Sequence, residues 1–166
     1  RLSKTGLKKI EITGFVHPKV IPQLADAEKV AAGIKREPGV RYAAFVPNAR
    51  GAERAIQSGI DDLKAGIAVS DSFNRLNVRM TTEDGMKATD DIAAAAKGTN
   101  SRLVGVIATA FGCPYEGEVS RQTIHRMAAH ASTHTPAIAS NCRLYNPSVG
   151  SISTSAASSF APIDHP

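Results

Sequence analysis

The chain has 166 residues, a formal net charge of +5 and 42% hydrophobic residues, which is enough for one globular domain with its own core. Its apolar runs are shorter than the 18 or so residues that a membrane-spanning helix needs, so no membrane partner is predicted. Basic residues alternate with acidic ones, and no zinc-finger or RRM motif is present, so no nucleic-acid partner is predicted either.

The cysteine content favours a reducing compartment. Cys113 and Cys142 are too few for a disulfide framework, and they do not have the spacing of metal ligands. The N-terminal residues lack the apolar core of a signal peptide, so we expect a cytoplasmic protein. Because the chain begins at Arg1 instead of methionine, we expect that it has been processed or that its true start is missing.

Short apolar runs alternate with longer amphipathic segments over residues 1–120. The predicted strands are 9–13, 41–46, 63–69 and 102–109. The predicted helices are 22–34, 51–58 and a segment from an N-cap at Thr82 to Ala96. Four strand-then-helix steps predict parallel βαβ units, and this pattern fits either a Rossmann-like sheet or a β/α barrel.

The pattern changes after residue 120. Of the 46 residues in 121–166, 28 are Ala, Ser, Thr, His or Pro, and beyond a possible helical turn or two at 121–131 neither helical nor strand periodicity is visible. Such a composition buries little apolar surface, so we predict a largely disordered, low-complexity segment. Translation of GC-rich DNA out of frame would give the same composition, and a genuine flexible tail is the alternative.

Several polar residues stand within or just after the predicted strands. Glu11 lies inside an apolar strand, where a carboxylate is costly unless it is paired or used, although an exposed edge position fits equally well. Asn48 follows the second strand, and the segment from Ser70 to Asn77 follows the third. Active sites of β/α barrels lie at the carboxyl ends of the strands, so these residues are candidates. His17, in the loop after the first strand, could be a ligand or a base, but a lone loop histidine usually is neither.

The loop at residues 111–119, FGCPYEGEV, follows the fourth strand. Its two glycines and its proline indicate a tight turn that could approach a ligand closely, with Cys113 at its apex. No neighbouring base marks Cys113 as a nucleophile, so a small buried loop residue is the preferred interpretation. His130 and His134 have the i, i+4 spacing of a zinc-binding helix but lack the glutamate of the HExxH motif, so no metal site is predicted there.

Four blocks of the sequence resemble the hydroxymethylglutaryl-CoA lyase family, in matching order and at compatible distances. They are TGLKKIEITGFVHPKVIPQLADAEKV, FVPNARGAERAIQSG, SDSFNRLNV and FGCPYEGEVS, and they span about residues 1–120. The resemblance implies a partial (β/α)8 barrel that carries about strands two to five, followed by the irregular segment 121–166. It also implies a retro-Claisen cleavage of 3-hydroxy-3-methylglutaryl-CoA to acetyl-CoA and acetoacetate.

The resemblance also implies roles for individual residues. Glu11 matches an active-site carboxylate with a catalytic role, Asn48 and Asn77 match residues that line the acyl-CoA pocket, and Cys113, in the FGCPYEGEVS block, is expected to bind the substrate with them. The family uses a divalent metal, Mg or Mn, but the positions that ligate it have no counterpart in this chain. Complete members are expected to form homo-oligomers.

Two conclusions follow for this chain. By resemblance it is a carbon–carbon lyase, but about half a barrel is expected to be inactive alone and to expose strand edges that aggregate or pair. The alternatives are a related condensing enzyme, such as a citramalate or isopropylmalate synthase, and a non-catalytic remnant that acts as an interaction module. A panel of acyl-CoA and 2-oxo-acid substrates would separate the two enzyme classes.

Overall fold

The computed structural model describes residues 1–134 and 138–140, which form a parallel sheet with the strand order β1-β2-β3-β4-β5. The strands are β1 (Lys9–Gly14), β2 (Arg41–Phe45), β3 (Asp62–Ala68), β4 (Arg102–Ala108) and β5 (Ile138–Ser140). The helices are α1 (Ala27–Gly33), α2 (Ala49–Gln57), α3 (Asp71–Val78), α4 (Thr82–Ala96) and α5 (Arg121–Ser132). Each strand therefore pairs with the next one in the sequence.

The main core lies on one face of the sheet. Alternate strand residues, among them Ala44, Leu63 and Leu103, pack against the buried faces of α1, α2 and α4 in a single apolar cluster. Met127 of α5 belongs to a second cluster with residues of β3, β4 and α4. Sequential strand order with the helices on one face is the arrangement of a β/α barrel, whereas a Rossmann-like sheet has helices on both faces. Of the two folds that the sequence left open, the β/α barrel is therefore confirmed, in the form of a partial barrel.

A glycine permits the close packing of α4 on the sheet. A Cβ atom added to Gly85 would lie 2.6 Å from Cγ2 of Ile67 on β3, which is too short for a carbon–carbon contact. Small residues at such points let a helix backbone approach a strand. The position of α4 therefore depends on the absence of a side chain at residue 85.

The predicted strands agree with the structure to within a residue or so, but two helix predictions differ and one helix was not predicted. The segment 22–34 begins with a 3₁₀ turn at Pro22–Leu24, and α1 covers only Ala27–Gly33. The N-cap of α4 is Thr81, because its side chain and that of Asp84 form a reciprocal capping box; the prediction of Thr82 was wrong by one residue. Helix α3 was not predicted, because its eight residues are mostly polar and show little apolar periodicity.

Regular structure continues past residue 120. Helix α5 has 12 residues, more than the one or two turns that the sequence indicates, and Ser120 caps it by accepting a hydrogen bond from the backbone N–H of Thr123. Strand β5 then pairs in parallel with β4. The rest of the segment predicted to be irregular, residues 135–137 and 141–166, lies outside the described residues, so the domain boundary at residue 120 stays a prediction.

A buried ion cluster joins the first residues of β1 to β4. The carboxylate of Asp62, which begins β3, is fully buried and lies 2.6 Å from Nζ of Lys9, 2.5 Å from Nη2 of Arg41 and 3.1 Å from Nη2 of Arg102. These three cations begin β1, β2 and β4. Burial alone would raise the pKa of Asp62, but the hydrogen bonds from Arg41, Lys9 and Arg102 outweigh it and lower the pKa from 3.8 to about 2.

Within the described part of the chain, no helix combines the length and the hydropathy that crossing a membrane would require.

The substitution Asp62→Asn should lower the free energy of unfolding at pH 7 by about 2–3 kcal/mol, because three cations lose their shared anion. The folded-state pKa lies below the unfolded one, so this stabilisation is complete above about pH 5 and is lost as the pH falls through about 2. The difference between the two proteins should therefore shrink over that range. This difference in the free energy of unfolding can be measured by urea unfolding at several pH values, monitored by circular dichroism.

The matched control is Asp26→Asn. Asp26 is exposed and makes no capping hydrogen bond with its side chain, so this change should cost less than about 0.5 kcal/mol. Equal losses in the two variants, or a difference that does not vary with pH, would contradict the role assigned to the Asp62 cluster.

Candidate functional site

A cavity of about 260 Å³ opens on the face of the sheet opposite the main core, beside α3. The strand residues that line it mostly alternate with the core residues, and one side of α3 completes the lining. The lining residues are Glu11, Phe45, Lys64, Gly66, Ile67, Ala68, Val106 and Ala108 from the strands, and Phe73, Asn74, Asn77 and Val78 from α3. Phe45, Ala68 and Ala108 are the last residues of their strands. The cavity therefore lies towards the carboxyl ends of the strands, where β/α barrels bind their substrates.

Glu11 and Lys64 form an ion pair in the wall of this cavity. Nζ of Lys64 on β3 lies 2.5 Å from Oε2 of Glu11 on β1, so the two side chains meet across the intervening strand β2. The side chain of Glu11 is 44% exposed and that of Lys64 is 23% exposed. A carboxylate with one oxygen bound to a cation and with access to the cavity can accept a proton from a bound molecule or return one to it.

Two asparagines of α3 line the cavity in different ways. Asn77 is exposed on the last turn of the helix, within reach of a molecule in the cavity. Asn74 is buried; its Oδ1 accepts a hydrogen bond from the N–H of Ala68 at 2.8 Å, and its Nδ2 donates to the carbonyl oxygen of Ala68 at 2.8 Å and to Thr82 Oγ1 at 3.1 Å. Asn74 therefore fixes the position of α3 relative to the end of β3. Because Asn77 lies on the same helix, these contacts also fix its position at the cavity.

Asn48 acts locally as the N-cap of α2. Its Oδ1 accepts a hydrogen bond from the backbone N–H of Gly51 at 2.9 Å. A Cβ atom on Gly51 would lie 2.7 Å from the carbonyl oxygen of Phe15, so the start of α2 packs directly against the segment that follows β1. Asn48 is exposed, and it is not among the residues that line the cavity.

Cys113 is buried in the loop after β4, as the preferred interpretation of the sequence expects. Its Sγ lies 3.0 Å from Oγ of Ser70, and its backbone N–H and C=O form a two-way bridge with Gly117 at 2.7 and 2.8 Å. Gly117 has a φ of +72°, a conformation that favours glycine. The thiol is not part of the cavity lining, so its contacts join the loop after β4 to the end of β3.

Two carboxylates hold the same loops through backbone donors. Oε1 of Glu116 accepts a hydrogen bond from the N–H of Ser72 at 2.7 Å, which lowers the pKa of Glu116. Oδ1 of Asp71 accepts one from the N–H of Thr82 at 2.7 Å, which lowers the pKa of Asp71. The loop after β4 therefore rests on the N-terminus of α3, and α3 is joined to the start of α4.

Of the residues that the sequence marks as candidates, Glu11 and Asn77 line the cavity. The sequence missed Lys64 and the contacts that Ser70 and Glu116 make. Lys64 was read as part of an apolar strand, and only the alternation of Leu63 and Ala65 around it could have marked it as facing away from the core. The contacts of Ser70 and Glu116 join parts of the chain more than 40 residues apart, and no local spacing indicates them.

The described residues do not form a metal centre at the cavity. His17 is exposed, and its Nδ1 accepts a hydrogen bond from the N–H of Lys19 at 3.1 Å in its own loop. The one set of potential metal ligands found within residues 1–134 lies between α4 and α5. The described residues at the cavity therefore do not fit the divalent metal that the family resemblance implies.

Comparisons with known proteins agree with this geometry, although no family model matches the chain. It is 43% identical over 128 residues to hydroxymethylglutaryl-CoA lyase of Bacillus subtilis, covering 77% of this chain and 43% of the relative. It is 37% identical over 124 residues to the cytoplasmic 3-hydroxy-3-methylglutaryl-CoA lyase of Homo sapiens, covering 75% of this chain and 34% of the relative. The chain thus spans less than half the length of these relatives.

Solved structures give the same result. The crystal structure of the Bacillus subtilis HMG-CoA lyase superposes with a TM-score of 0.80 at 39% identity, over 84% of this chain and 47% of that chain. The HMG-CoA lyase of Acinetobacter baumannii in complex with coenzyme A and 3-methylmalate superposes with a TM-score of 0.81 at 32% identity, over 89% of this chain and 49% of that chain.

The two asparagines of α3 supply a matched pair of substitutions. Asn74→Ala should lower the free energy of unfolding by about 2–4 kcal/mol, because it leaves the buried N–H and C=O of Ala68 without their partner and creates a small cavity. Asn77→Ala, on the exposed side of the same helix, should change it by less than about 0.5 kcal/mol. Thermal and urea unfolding of both variants tests this; similar losses for the two would show that Asn74 does not anchor α3.

Proposed function

Because the chain belongs to the hydroxymethylglutaryl-CoA lyase family, we propose that its cavity forms part of the active site of a carbon–carbon lyase that cleaves 3-hydroxy-3-methylglutaryl-CoA to acetyl-CoA and acetoacetate. The observation that carries the proposal is the position of Glu11, whose carboxylate reaches the cavity at the carboxyl end of a barrel-type sheet. The coenzyme A in the Acinetobacter structure supports an acyl-CoA as the substrate class.

The reaction needs a group that moves protons, and Glu11 is the carboxylate placed to do so. Cleavage begins when the tertiary hydroxyl loses its proton; the carbon–carbon bond then breaks, and its electrons pass into the enolate of the CoA thioester, which is protonated afterwards. Lys64 engages Oε2 of Glu11, so Oε1 is the atom proposed to exchange a proton with the substrate. The positive charge of Lys64 also favours an anionic molecule in the cavity.

The remaining predicted residues are assigned by their positions. Asn77 is proposed to hydrogen bond the substrate with its exposed side-chain amide. Asn48 and Cys113 were predicted to bind the substrate directly, and this stays a prediction. Their observed contacts, a helix cap on α2 and a thiol against Ser70, are contacts that would hold the loops at the rim of the site in place.

The complete activity is proposed for a complete barrel. The described sheet has five strands, whereas a closed barrel of this class has eight. Among the described strands, β1 and β5 each pair on one side only, and an unpaired strand edge can pair with another chain, which supports the expectation of self-association. For the complete protein we propose a divalent cation, a homo-oligomer and a cytoplasmic location. The relatives include both cytoplasmic and mitochondrial lyases.

The role of Glu11 can be tested in a chimera in which this chain replaces the matching segment of the Bacillus subtilis lyase. We expect the chimera to release acetoacetate from 3-hydroxy-3-methylglutaryl-CoA, and Glu11→Gln to lower kcat by about 10²–10⁴ with little change in KM, because the proton-transfer group is lost. The matched control is Glu53→Gln at an exposed position on α2. An active chimera that loses no more than the control on Glu11→Gln would refute the assignment.

The 166-residue chain by itself should show no cleavage of 3-hydroxy-3-methylglutaryl-CoA above the uncatalysed rate in the presence of Mg²⁺ or Mn²⁺. The physical reason is that five strands enclose only part of a barrel site. A coupled assay for acetyl-CoA, run beside the chimera at equal concentration, measures this. Turnover by a monodisperse monomer would show that the 166-residue chain suffices and would contradict the prediction.

A further inference from the structure

Three potential metal ligands from two helices converge away from the cavity. Asp90 lies on α4, His130 lies on α5, and His134 lies in the turn that continues α5. One ligand atom from each of the three side chains lies within 4.8 Å of the other two. None of them lines the cavity that contains Glu11.

The two imidazoles approach the same carboxylate oxygen. Nε2 of His130 lies 2.8 Å from Oδ1 of Asp90, and Nε2 of His134 lies 2.7 Å from it. The two rings are nearly perpendicular, at 72°, with centroids 5.6 Å apart. Both Nε2 atoms therefore lie within 3 Å of the same carboxylate oxygen, so three potential ligand atoms are close enough together to share one ion.

The oxygen at the centre of this group lacks a normal hydrogen bond. Oδ1 of Asp90 is buried, and within the described residues no donor reaches it with hydrogen-bond geometry, although both imidazole nitrogens are close. A buried carboxylate oxygen whose neighbours do not form well-aligned hydrogen bonds with it is costly. A cation between the oxygen and the two nitrogens would satisfy all three atoms at once.

We propose that Asp90, His130 and His134 bind a divalent transition-metal ion of the zinc class. Two imidazole nitrogens and one carboxylate oxygen suit Zn²⁺ and its neighbours, whereas Mg²⁺ and Ca²⁺ prefer sites made of oxygen. In a tetrahedral zinc site with ligand distances of about 2.0–2.1 Å the ligand atoms stand about 3.3–3.4 Å apart, so the two nitrogens need to move away from Oδ1 by only about half an ångström. The side chains are 29–43% exposed, so water can fill a fourth position.

The surroundings hold the two helices at a suitable separation. One turn before His130, the guanidinium of Arg126 pairs with Glu83 on α4. Without an ion, Nε2 of His130 also lies 3.3 Å from the carbonyl oxygen of Met86 on α4, and a bound ion would replace this contact because a metal-bound imidazole nitrogen carries no proton. A bound ion would therefore link α4 to α5, and it would stabilise the outer layer of the fold independently of any activity at the cavity.

The test is a titration of the 166-residue chain with Zn²⁺ by isothermal calorimetry, with Co²⁺ as a spectroscopic probe. We expect one Zn²⁺ per chain, a visible Co²⁺ spectrum typical of tetrahedral coordination, a raised melting temperature and no comparable heat with Mg²⁺. Asp90→Asn and His134→Ala should each weaken Zn²⁺ binding at least about tenfold.

The controls lie on the same two helices. His125 on α5 and Asp91 on α4 are exposed, so His125→Ala and Asp91→Asn should leave the affinity for Zn²⁺ unchanged. If Zn²⁺ binding persists in Asp90→Asn and His134→Ala, or if the controls weaken it equally, the assignment is wrong. If Zn²⁺ does not bind the unsubstituted chain, the three residues form only an ion pair network.

A second measurement on the unsubstituted chain removes any dependence on how the variants fold. Zn²⁺ should protect His130 and His134 from modification by diethyl pyrocarbonate, as read by mass spectrometry, while His125 reacts at the same rate with and without the ion. Equal reactivity of all three histidines in the presence of Zn²⁺ would overturn the proposal.

Discussion

The buried carboxylate of Asp62 is the interaction on which the sheet depends most directly. It stands at the start of β3 and contacts the first side chain of β1, β2 and β4, so one anion sets the relative register of four parallel strands. Its contacts span the chain from residue 9 to residue 102. Because parallel pairing has no hairpin to set the register, a shared ion at the amino ends of the strands supplies that constraint.

Once the register is set, the alternation of side chains divides the sheet into two faces with different chemistry. Leu63 and Ala65 join the core beneath the helices, while Lys64 and Gly66 face the cavity. The charges at the amino ends therefore serve stability, whereas the charges further along the strands on the opposite face, Glu11 and Lys64, remain available to a ligand. This separation is the one that β/α barrels use in general.

The loops at the carboxyl ends are held by polar contacts with one another. Cys113 reaches Ser70, Glu116 holds the start of α3, and Asp71 holds the start of α4. These contacts connect successive βα units, and Asn74 adds a fixed attachment to the end of β3. These contacts hold α3 in place, and the position of Asn77 at the cavity follows from the position of α3. The outer helices carry a second polar group, Asp90 with His130 and His134, that takes no part in it.

The sequence by itself determined the four main strands and two of the three predicted helices, and it marked Glu11 and Asn77 as candidates, because apolar periodicity and strand-end position are local signals. It left open whether the helices cover one face of the sheet or both, since the same βα pattern precedes either arrangement. Only the tertiary structure decided that, and only it brought Lys64 to Glu11, Glu116 to Ser72 and Asp90 to the two histidines. Each of these pairs joins different βα units, and their proximity arises from packing, which no spacing within one segment encodes.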